Sequence, residues 1–79
     1  MWYVYLAECN DGTFYCGVTT DVERRISEHN GSKKGARYTR SRRPVRLVGF
    51  KEVASRSEAL IVENKVKKMN RTRKTEFFI

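Results

Sequence analysis

Residues 3–17 read YVYLAECNDGTFYCG, in which two runs of β-forming residues flank the turn signal NDG at residues 10–12. This pattern predicts a β-hairpin with strands over residues 2–9 and 13–18. Successive side chains of a strand point to opposite faces of a sheet, so a shift of one residue exchanges the two faces. The length of the loop therefore decides which side chains lie together.

A loop of two residues would place Tyr15 beside the aliphatic side chains of the first strand. A loop of three residues, with Gly12 in the left-handed conformation and a bulge, pairs Tyr5 with Gly17. We predict the three-residue loop because it separates the apolar side chains from the tyrosines. One face then carries Trp2, Val4, Leu6, Phe14, Cys16 and Val18, and the other carries Tyr3, Tyr5, Tyr15, Gly17 and Thr19. We expect the tyrosines to face away from the hydrophobic core.

The remainder of the chain predicts a helix, a basic loop, a strand, a helix and a short last helix, which completes the order β-β-α-β-α-α. Each boundary follows from a local signal such as a capping residue, a glycine or a proline. The first helix is predicted from Asp21 to about Asn30 with Gly31 past its end, and the strand over 45–53. The next helix runs from the capping box Ser55–Glu58 to about Met69, and Thr72 caps the last one.

Charged side chains interrupt the inward faces of the two longer helices. Arg25 and His29 fall on the apolar stripe of the first helix, and Glu63 falls on that of the second. Each has an ordinary structural interpretation, such as an ion pair between Glu63 and Lys67 one turn later. Together with two tyrosines, however, these three form a cluster of polar groups in a domain with little interior.

The charge of the chain is unevenly distributed. The sequence has 17 Lys and Arg against 9 Asp and Glu, a formal net charge of +8. Residues 33–46 carry seven basic and no acidic side chains, and residues 65–79 carry six basic and one acidic. This balance predicts an anionic partner such as nucleic acid.

The sequence disfavours several broad classes of protein. No apolar run approaches the ~20 residues of a membrane span, and the N-terminus lacks the basic region of a secretory signal, so we expect a cytoplasmic protein without a membrane partner. Cys9 and Cys16 lack zinc-motif spacing, and we expect reduced thiols rather than a hairpin disulfide. With 79 residues and no repeat or linker, the chain predicts a single domain over 1–79.

In their order along the chain, these features resemble the GIY-YIG nuclease domain. Tyr3-Val4-Tyr5 stands in the place of the first triplet, and Tyr15-Cys16-Gly17 stands in the place of the second. Arg25, ten residues after the second-triplet tyrosine, and His29, one turn later, match the family's arginine and histidine. Glu63 fits the place of its metal-binding glutamate.

The resemblance covers nearly the full chain. It is closest to the small single-domain GIY-YIG proteins of bacteria and archaea, the UPF0213-like group, which share a segment similar to YTRSRRPV after the first helix. It implies an α/β fold of the α+β type, with a three-stranded antiparallel sheet flanked by helices.

The resemblance also implies an endonuclease-like, metal-dependent hydrolysis of DNA, with branched or single-stranded DNA in repair or recombination as candidate substrates. The implied catalytic residues are Tyr5, Tyr15, Arg25, His29 and Glu63. Glu63 would bind Mg²⁺ or Mn²⁺, and one carboxylate suffices because Mg²⁺ keeps most of its waters. No small-molecule cofactor is expected. A tyrosine with its ordinary pKa of about 10 is a poor base at neutral pH, and we expect nearby cations to lower that pKa.

The basic segments are the expected nucleic-acid contacts. The residues concerned are Lys33, Lys34, Arg37, Arg40, Arg42, Arg43, Lys67 and Lys68. Two alternatives to an enzyme remain open at this stage. One is a binding module for DNA or RNA that keeps the fold without turnover, and the other is an accessory subunit whose basic surface docks an acidic protein.

Overall fold

The computed structural model describes residues 1–31 and 34–79 and contains a three-stranded antiparallel sheet flanked by helices. This confirms the predicted α+β class. The strands are β1 (Trp2–Glu8), β2 (Phe14–Thr19) and β3 (Arg46–Val53), in the order β2-β1-β3. The helices are α1 (Val22–Gly31), α2 (Arg37–Arg40), α3 (Arg56–Lys67) and α4 (Arg71–Phe78). The one addition to the predicted order is α2, a single helical turn inside the predicted basic loop.

The β1–β2 hairpin has the predicted three-residue loop. Tyr5 pairs with Gly17, and Ala7 pairs with Tyr15. Gly12 has a φ of +84°, the left-handed conformation that glycine adopts without strain. The register therefore places the tyrosines on one face of the sheet and the larger apolar side chains on the other.

Each face of the sheet carries its own buried cluster. On the first face, Val4 and Leu6 pack with Ala59 and Val66 of α3 and with Phe78 of α4. On the second face, the buried residues are Tyr5, Ala7, Cys9, Val22 and Val45. The tyrosines thus face away from the apolar cluster, as expected, but α1 covers their face and makes it a second, more polar core.

The helix ends differ in detail from the sequence-based expectation. The Ser55 side chain accepts a hydrogen bond from the Glu58 N–H, which confirms the predicted N-cap of α3. The predicted Thr72 cap of α4 is wrong, because the Asn70 side chain accepts from the Arg73 N–H at 2.9 Å and starts the helix earlier. The remaining shifts are small: α1 includes Gly31, β3 begins at Arg46 rather than 45, and α3 ends at Lys67 rather than Met69. No helix within the described ranges is long and apolar enough to cross a membrane.

The two cysteines are free thiols, as predicted, and both are buried. Cys9 belongs to the cluster on the tyrosine face, whereas Cys16 belongs to the cluster under α3. The sheet thus lies between the two sulfur atoms.

Candidate active site

Four of the five predicted catalytic residues come together on the tyrosine face. The ring centroids of Tyr5 and Tyr15 lie 6.3 Å apart, as neighbours on β1 and β2. The His29 ring, on α1, lies 5.9 Å from that of Tyr5 and 5.1 Å from that of Tyr15. Arg25 stands one turn earlier on α1, and its guanidinium is close enough to the Tyr5 hydroxyl to act on the pKa of Tyr5. The helical spacing of i and i+4 places both α1 side chains over the tyrosines.

The imidazole of His29 is held at both nitrogens. Nε2 lies 2.7 Å from the Tyr5 hydroxyl oxygen, and Nδ1 lies 2.8 Å from Oγ1 of Thr39. His29 and Thr39 are fully buried, and Tyr5 is 1% exposed. Burial, and then the positive charge of Arg25, lower the pKa of His29 to about 4. The ring is therefore neutral at physiological pH.

The hydroxyl of Tyr5 is held in its protonated form. Burial raises the pKa of Tyr5, and its neighbour Tyr15 raises it further, while the guanidinium of Arg25 acts in the opposite direction. The expectation that nearby cations lower this pKa is wrong for Tyr5. The reason is that the loss of solvent around a fully buried phenol outweighs a single guanidinium.

Gly17 makes room for the Tyr5 ring from the neighbouring strand. A Cβ atom at position 17 would lie 2.6 Å from the Tyr5 hydroxyl oxygen and 2.8 Å from the ring carbon that bears it. These separations are far below van der Waals contact. The glycine that ends the second triplet therefore allows the Tyr5 ring of the first triplet to pack against β2.

Arg25 is fixed by its neighbours but keeps some exposure. Its Nη1 donates to Glu28 Oε1 at 3.0 Å and to the Lys34 carbonyl at 2.6 Å. The side chain is 24% exposed. A guanidinium oriented in this way can present its remaining N–H groups to a phosphate without reorganising.

Glu63 does not join this cluster. It lies on α3, which packs on the first face of the sheet, and its carboxylate pairs with Lys67 Nζ at 3.6 Å. Burial and the charge of Glu63 together raise the pKa of Cys16 to about 12, which places the carboxylate near that thiol. Because Tyr15 and Cys16 are consecutive on β2 and point to opposite faces, the two parts of the predicted site flank the edge strand β2.

The residues around Glu63 are compatible with a hydrated divalent ion but do not form a metal cage. Over residues 1–31 and 34–79, no group of three or more His, Cys, Asp and Glu side chains is placed to hold a metal ion. The Lys67 side chain is 55% exposed, so a cation can displace it from Glu63. Mg²⁺ commonly binds one or two carboxylates and completes its shell with water and phosphate oxygens.

Among the predicted nucleic-acid contacts, Arg42 and Arg43 have partners that connect the segment around α2 to other elements. Arg42 pairs with Asp11 of the hairpin loop at 3.0 Å, and its guanidinium lies 4.0 Å from the ring centroid of Tyr38. Arg43 donates through Nε to the carbonyl of His29 and so contacts the end of α1. Both arginines therefore hold the segment around α2 against the rest of the domain.

The other predicted contacts are distributed on both sides of β2. Lys34, Arg37 and Arg40 are exposed beside or on α2, whereas Lys67 and Lys68 are exposed at the end of α3. Lys67 is the partner of Glu63. Lys33 lies outside the described residues.

Sequence reasoning missed two residues of the site, Tyr38 and Thr39. The Tyr38 ring stacks on that of Tyr15, with centroids 6.0 Å apart, and is 41% exposed. Thr39 binds His29 as described above. Both belong to the segment YTRSRRPV, which was interpreted only as basic. The available signal was the Tyr-Thr pair, because an aromatic and a hydroxyl residue in a basic run are themselves able to bind and orient other groups.

Comparisons with known proteins show the family of the chain. The family model described as "GIY-YIG catalytic domain" matches residues 1–76. A UPF0213 protein of Desulfotalea psychrophila is 56% identical over 73 residues, which are 92% of this chain and 66% of that protein, so the chain spans just under two thirds of this relative's length.

Two solution NMR structures are also similar. One is a UPF0213 protein of Bacillus halodurans, with 49% identity, a TM-score of 0.58 and coverage of 98% of this chain and 82% of the other. The second is a protein of E. faecalis, with 45% identity, a TM-score of 0.63 and coverage of 95% and 79%.

Proposed function

This chain belongs to the GIY-YIG domain family, and we propose on that premise that it is an endonuclease that hydrolyses phosphodiester bonds of DNA. The observation that carries the proposal is the buried hydrogen bond between Tyr5 and His29, with the guanidinium of Arg25 close enough to act on the pKa of both groups. A purely structural core would not need three polar groups placed together in this way, and their types match the needs of phosphodiester hydrolysis.

Hydrolysis requires that the attacking water lose a proton. Tyr5 is the proposed acceptor, because its own proton can pass to Nε2 of His29 at 2.7 Å as the proton of the water arrives at the phenolic oxygen. Burial disfavours both a Tyr5 phenolate and a His29 imidazolium when either forms alone. A concerted double transfer avoids the phenolate and leaves a transient imidazolium, whose charge is balanced by the negative charge that develops on the phosphate. The proton then passes back through Tyr5 to the leaving oxygen, which restores neutral His29.

The phosphate needs a cation that is already oriented. Arg25 takes this role in the proposal, since hydrogen bonds to Glu28 and to the Lys34 carbonyl hold its guanidinium beside the Tyr5 hydroxyl. Preorganised donors of this type stabilise the charge that develops on non-bridging oxygens. Arg25 would thus contact the phosphate both before and during the reaction.

Glu63 is the proposed ligand of Mg²⁺ or Mn²⁺. When bound, such an ion neutralises phosphate oxygens and lowers the pKa of its own water. Glu63 and the tyrosine cluster lie on opposite faces of β2, and β2 is an edge strand of the sheet. A DNA strand that runs along this edge would contact Arg25 on one side and Glu63 on the other.

A nucleic-acid-binding module without turnover is the second candidate. It is favoured by the ion pair between Glu63 and Lys67, which gives the carboxylate a structural partner on the face that lacks the tyrosines. In this case Tyr38 and the basic residues beside it would bind DNA or RNA. In a third alternative, the protein is an accessory subunit that docks an acidic protein through the same surface. It would then bind neither DNA nor RNA.

A cleavage assay separates these functions. Labelled single-stranded, duplex and branched DNA would be incubated with the protein in Mg²⁺, in Mn²⁺ or in EDTA. Under the nuclease proposal, cleavage requires the metal and falls at least 100-fold in Glu63→Gln, while affinity measured without metal stays equal or rises slightly, because a like charge near the phosphates has gone. Glu76→Gln is the matched control, since it makes the same change on the exposed surface of α4.

The outcomes are distinct. Wild-type protein that binds these DNA forms but cleaves none of them in either metal would replace the nuclease by the binding module. Glu63→Gln that cleaves as well as Glu76→Gln would remove Glu63 from the site. Absence of binding to both DNA and RNA would favour the acidic-protein partner.

A further inference from the structure

Thr39 is the one buried residue of the basic turn α2. Its side chain is 0% exposed, whereas Arg37, Tyr38 and Arg40 on either side are exposed. The Thr39 hydroxyl lies 2.8 Å from Nδ1 of His29 and 2.9 Å from the carbonyl oxygen of Ala36. Thr39 therefore reaches the candidate active site from the interior, whereas Tyr38 borders it at the surface.

The two contacts of this hydroxyl indicate where the protons lie. A hydroxyl has one proton to donate, and the Ala36 carbonyl, which also accepts from the Thr39 N–H at 3.1 Å, can only accept, so we assign the hydroxyl proton of Thr39 to its contact with Ala36. Towards Nδ1 of His29 the Thr39 oxygen must then accept. Nδ1 consequently carries the proton of the neutral imidazole, and Nε2 carries the free lone pair.

The same reasoning orients Tyr5. Because Nε2 of His29 has a lone pair and no proton, the Tyr5 hydroxyl must donate across the 2.7 Å contact. The phenolic proton points towards His29, and the remaining lone pairs of the oxygen point away from His29. The three hydrogen bonds from Tyr5 to Ala36 all run in one direction.

We propose that Thr39 is a positioning residue that fixes His29 in the Nδ1–H tautomer and so makes Tyr5 a proton relay. In the opposite tautomer, Nε2–H would donate to Tyr5, and the phenol could not pass its proton to the ring. The tautomer assignment stands on the hydrogen bonds alone. Its consequence for catalysis rests on the nuclease function proposed above.

The neighbours of Thr39 hold α2 in the required place. Tyr38 stacks on Tyr15, the Arg42 guanidinium covers Tyr38, and Nη1 of Arg42 donates to the Tyr38 carbonyl at 2.8 Å. Asp11 of the hairpin loop anchors Arg42. A turn of only four residues, with no side-chain cap at its start, is thereby fixed well enough to orient a ring on another helix.

The test combines two substitutions at Thr39 with an NMR measurement on the His29 ring. Thr39→Val keeps the shape of the side chain but removes the oxygen, and Thr39→Ser keeps the oxygen. The chain contains a single histidine, so long-range proton–nitrogen NMR correlations of the labelled protein report His29 alone. We expect the Nδ1–H tautomer in wild type and in Thr39→Ser, and a shift towards Nε2–H in Thr39→Val.

Cleavage follows the tautomer if the nuclease function is correct. We expect kcat to fall at least 10-fold in Thr39→Val with KM within twofold of wild type, and to stay within threefold of wild type in Thr39→Ser. A residue that only stabilises the fold would lower the melting temperature of Thr39→Val without changing the tautomer or kcat.

Three results would overturn the proposal. The first is an Nε2–H tautomer in wild type, which needs no variant to fold. The second is an unchanged Nδ1–H tautomer in folded Thr39→Val. The third is an unchanged kcat in Thr39→Val despite a shifted tautomer, which removes the positioning role. A wild-type protein with the expected tautomer but no cleavage would instead overturn the proposed nuclease function and leave the assignment of the protons intact.

Discussion

The hydroxyl oxygen of Tyr5 lies 2.7 Å from Nε2 of His29, and this contact joins β1 to α1 through the interior of the domain. Tyr5 is 1% exposed and His29 is 0% exposed. Neither group can exchange its partner for water without local opening. The pair therefore contributes both to the stability of the fold and to the proposed chemistry, and the two contributions can be separated by experiment.

Removal of the Tyr5 hydroxyl separates the contribution to stability from the contribution to catalysis most directly. We expect Tyr5→Phe to keep the fold, to lose about 1–3 kcal/mol of unfolding free energy because Nε2 of His29 loses its buried partner, and to lose cleavage at least 100-fold. Tyr3→Phe is the control, since Tyr3 lies on the same face and its ring contacts Phe50 rather than His29. Urea unfolding and single-turnover cleavage would be measured in parallel. Equal activity of the two variants would contradict the role of Tyr5.

The depressed pKa of His29 predicts that the protein loses stability in mild acid. The unfolded chain binds a proton on His29 as pH falls through about 6.5, whereas the folded protein does so only at about 4. Unfolding therefore takes up a proton in this window, and the contribution of neutral His29 is complete above pH 6.5 and is lost progressively towards pH 4.

Between pH 7 and pH 5, this linkage corresponds to a loss of roughly 2 kcal/mol in unfolding free energy. Urea unfolding at pH 7 and at pH 5 measures this loss of unfolding free energy. Both pH values lie above the ordinary pKa of carboxylates, so the titration of Asp and Glu contributes little. The NMR signals of the single histidine give an independent measure, because they should not titrate above pH 5 in the folded protein. A ring that titrates near 6.5 in the folded protein would contradict the burial of His29.

Gly17 is predicted to be intolerant of a methyl group. In Gly17→Ala, the new Cβ would meet the Tyr5 hydroxyl oxygen at 2.6 Å, so the ring or the strand must move. We expect a loss of about 1–3 kcal/mol of stability, as for other overpacked sites, together with loss of cleavage.

Gly31→Ala is the matched control for Gly17→Ala. Gly31 is the last residue of α1, and a Cβ there has no atom within 4 Å. This change should leave cleavage intact and should be neutral or stabilising by up to about 1 kcal/mol. Thermal melts of both variants, with the His29 signals as the local probe, would decide whether the effect at position 17 is specific.

Nucleic-acid binding should depend on salt through the exposed basic residues and not through Arg42 and Arg43. We expect the double variant Arg37→Ala/Lys68→Ala to reduce the slope of log affinity against log salt by about 2 on duplex DNA, or about 0.9 for each lost phosphate contact. The control Lys51→Ala/Arg56→Ala removes the same charge on β3 and at the start of α3. Equal slopes for the two variants would mean that net charge alone sets the affinity.

The hairpin is the part of the fold that sequence reasoning predicted best. The positions of Gly12, Tyr5 and Tyr15 depend on local turn chemistry and on the alternation of strand side chains, which the sequence records directly. The contact between Tyr5 and His29 was accessible in part, because helical periodicity identified the inward face of α1. The burial of that contact could not be predicted from the sequence, since it depends on how tightly α1 and α2 cover the sheet.

Other features depended on tertiary packing. A helical stripe places Glu63 towards a sheet but does not say which face of the sheet the helix covers, so the separation of Glu63 from Tyr5 by β2 was not predictable. The turn α2 lacks any apolar periodicity and is held by Tyr38 and Arg42. The Tyr38-Thr39 pair therefore indicated binding groups in this segment but not that Thr39 is buried.

The tyrosine face is at once a packed core and the proposed reaction site, and this constrains how a domain of this kind can change in evolution. A descendant that ceased to cut nucleic acid would still need Tyr5 and His29 to fill the space between β1 and α1. Catalysis can be abandoned without unfolding at a position outside that core such as Glu63, where a residue of similar volume can take the place of a side chain that is 16% exposed. Among proteins with this architecture, we therefore expect nucleases and non-cleaving nucleic-acid-binding proteins to differ in the side chain at position 63.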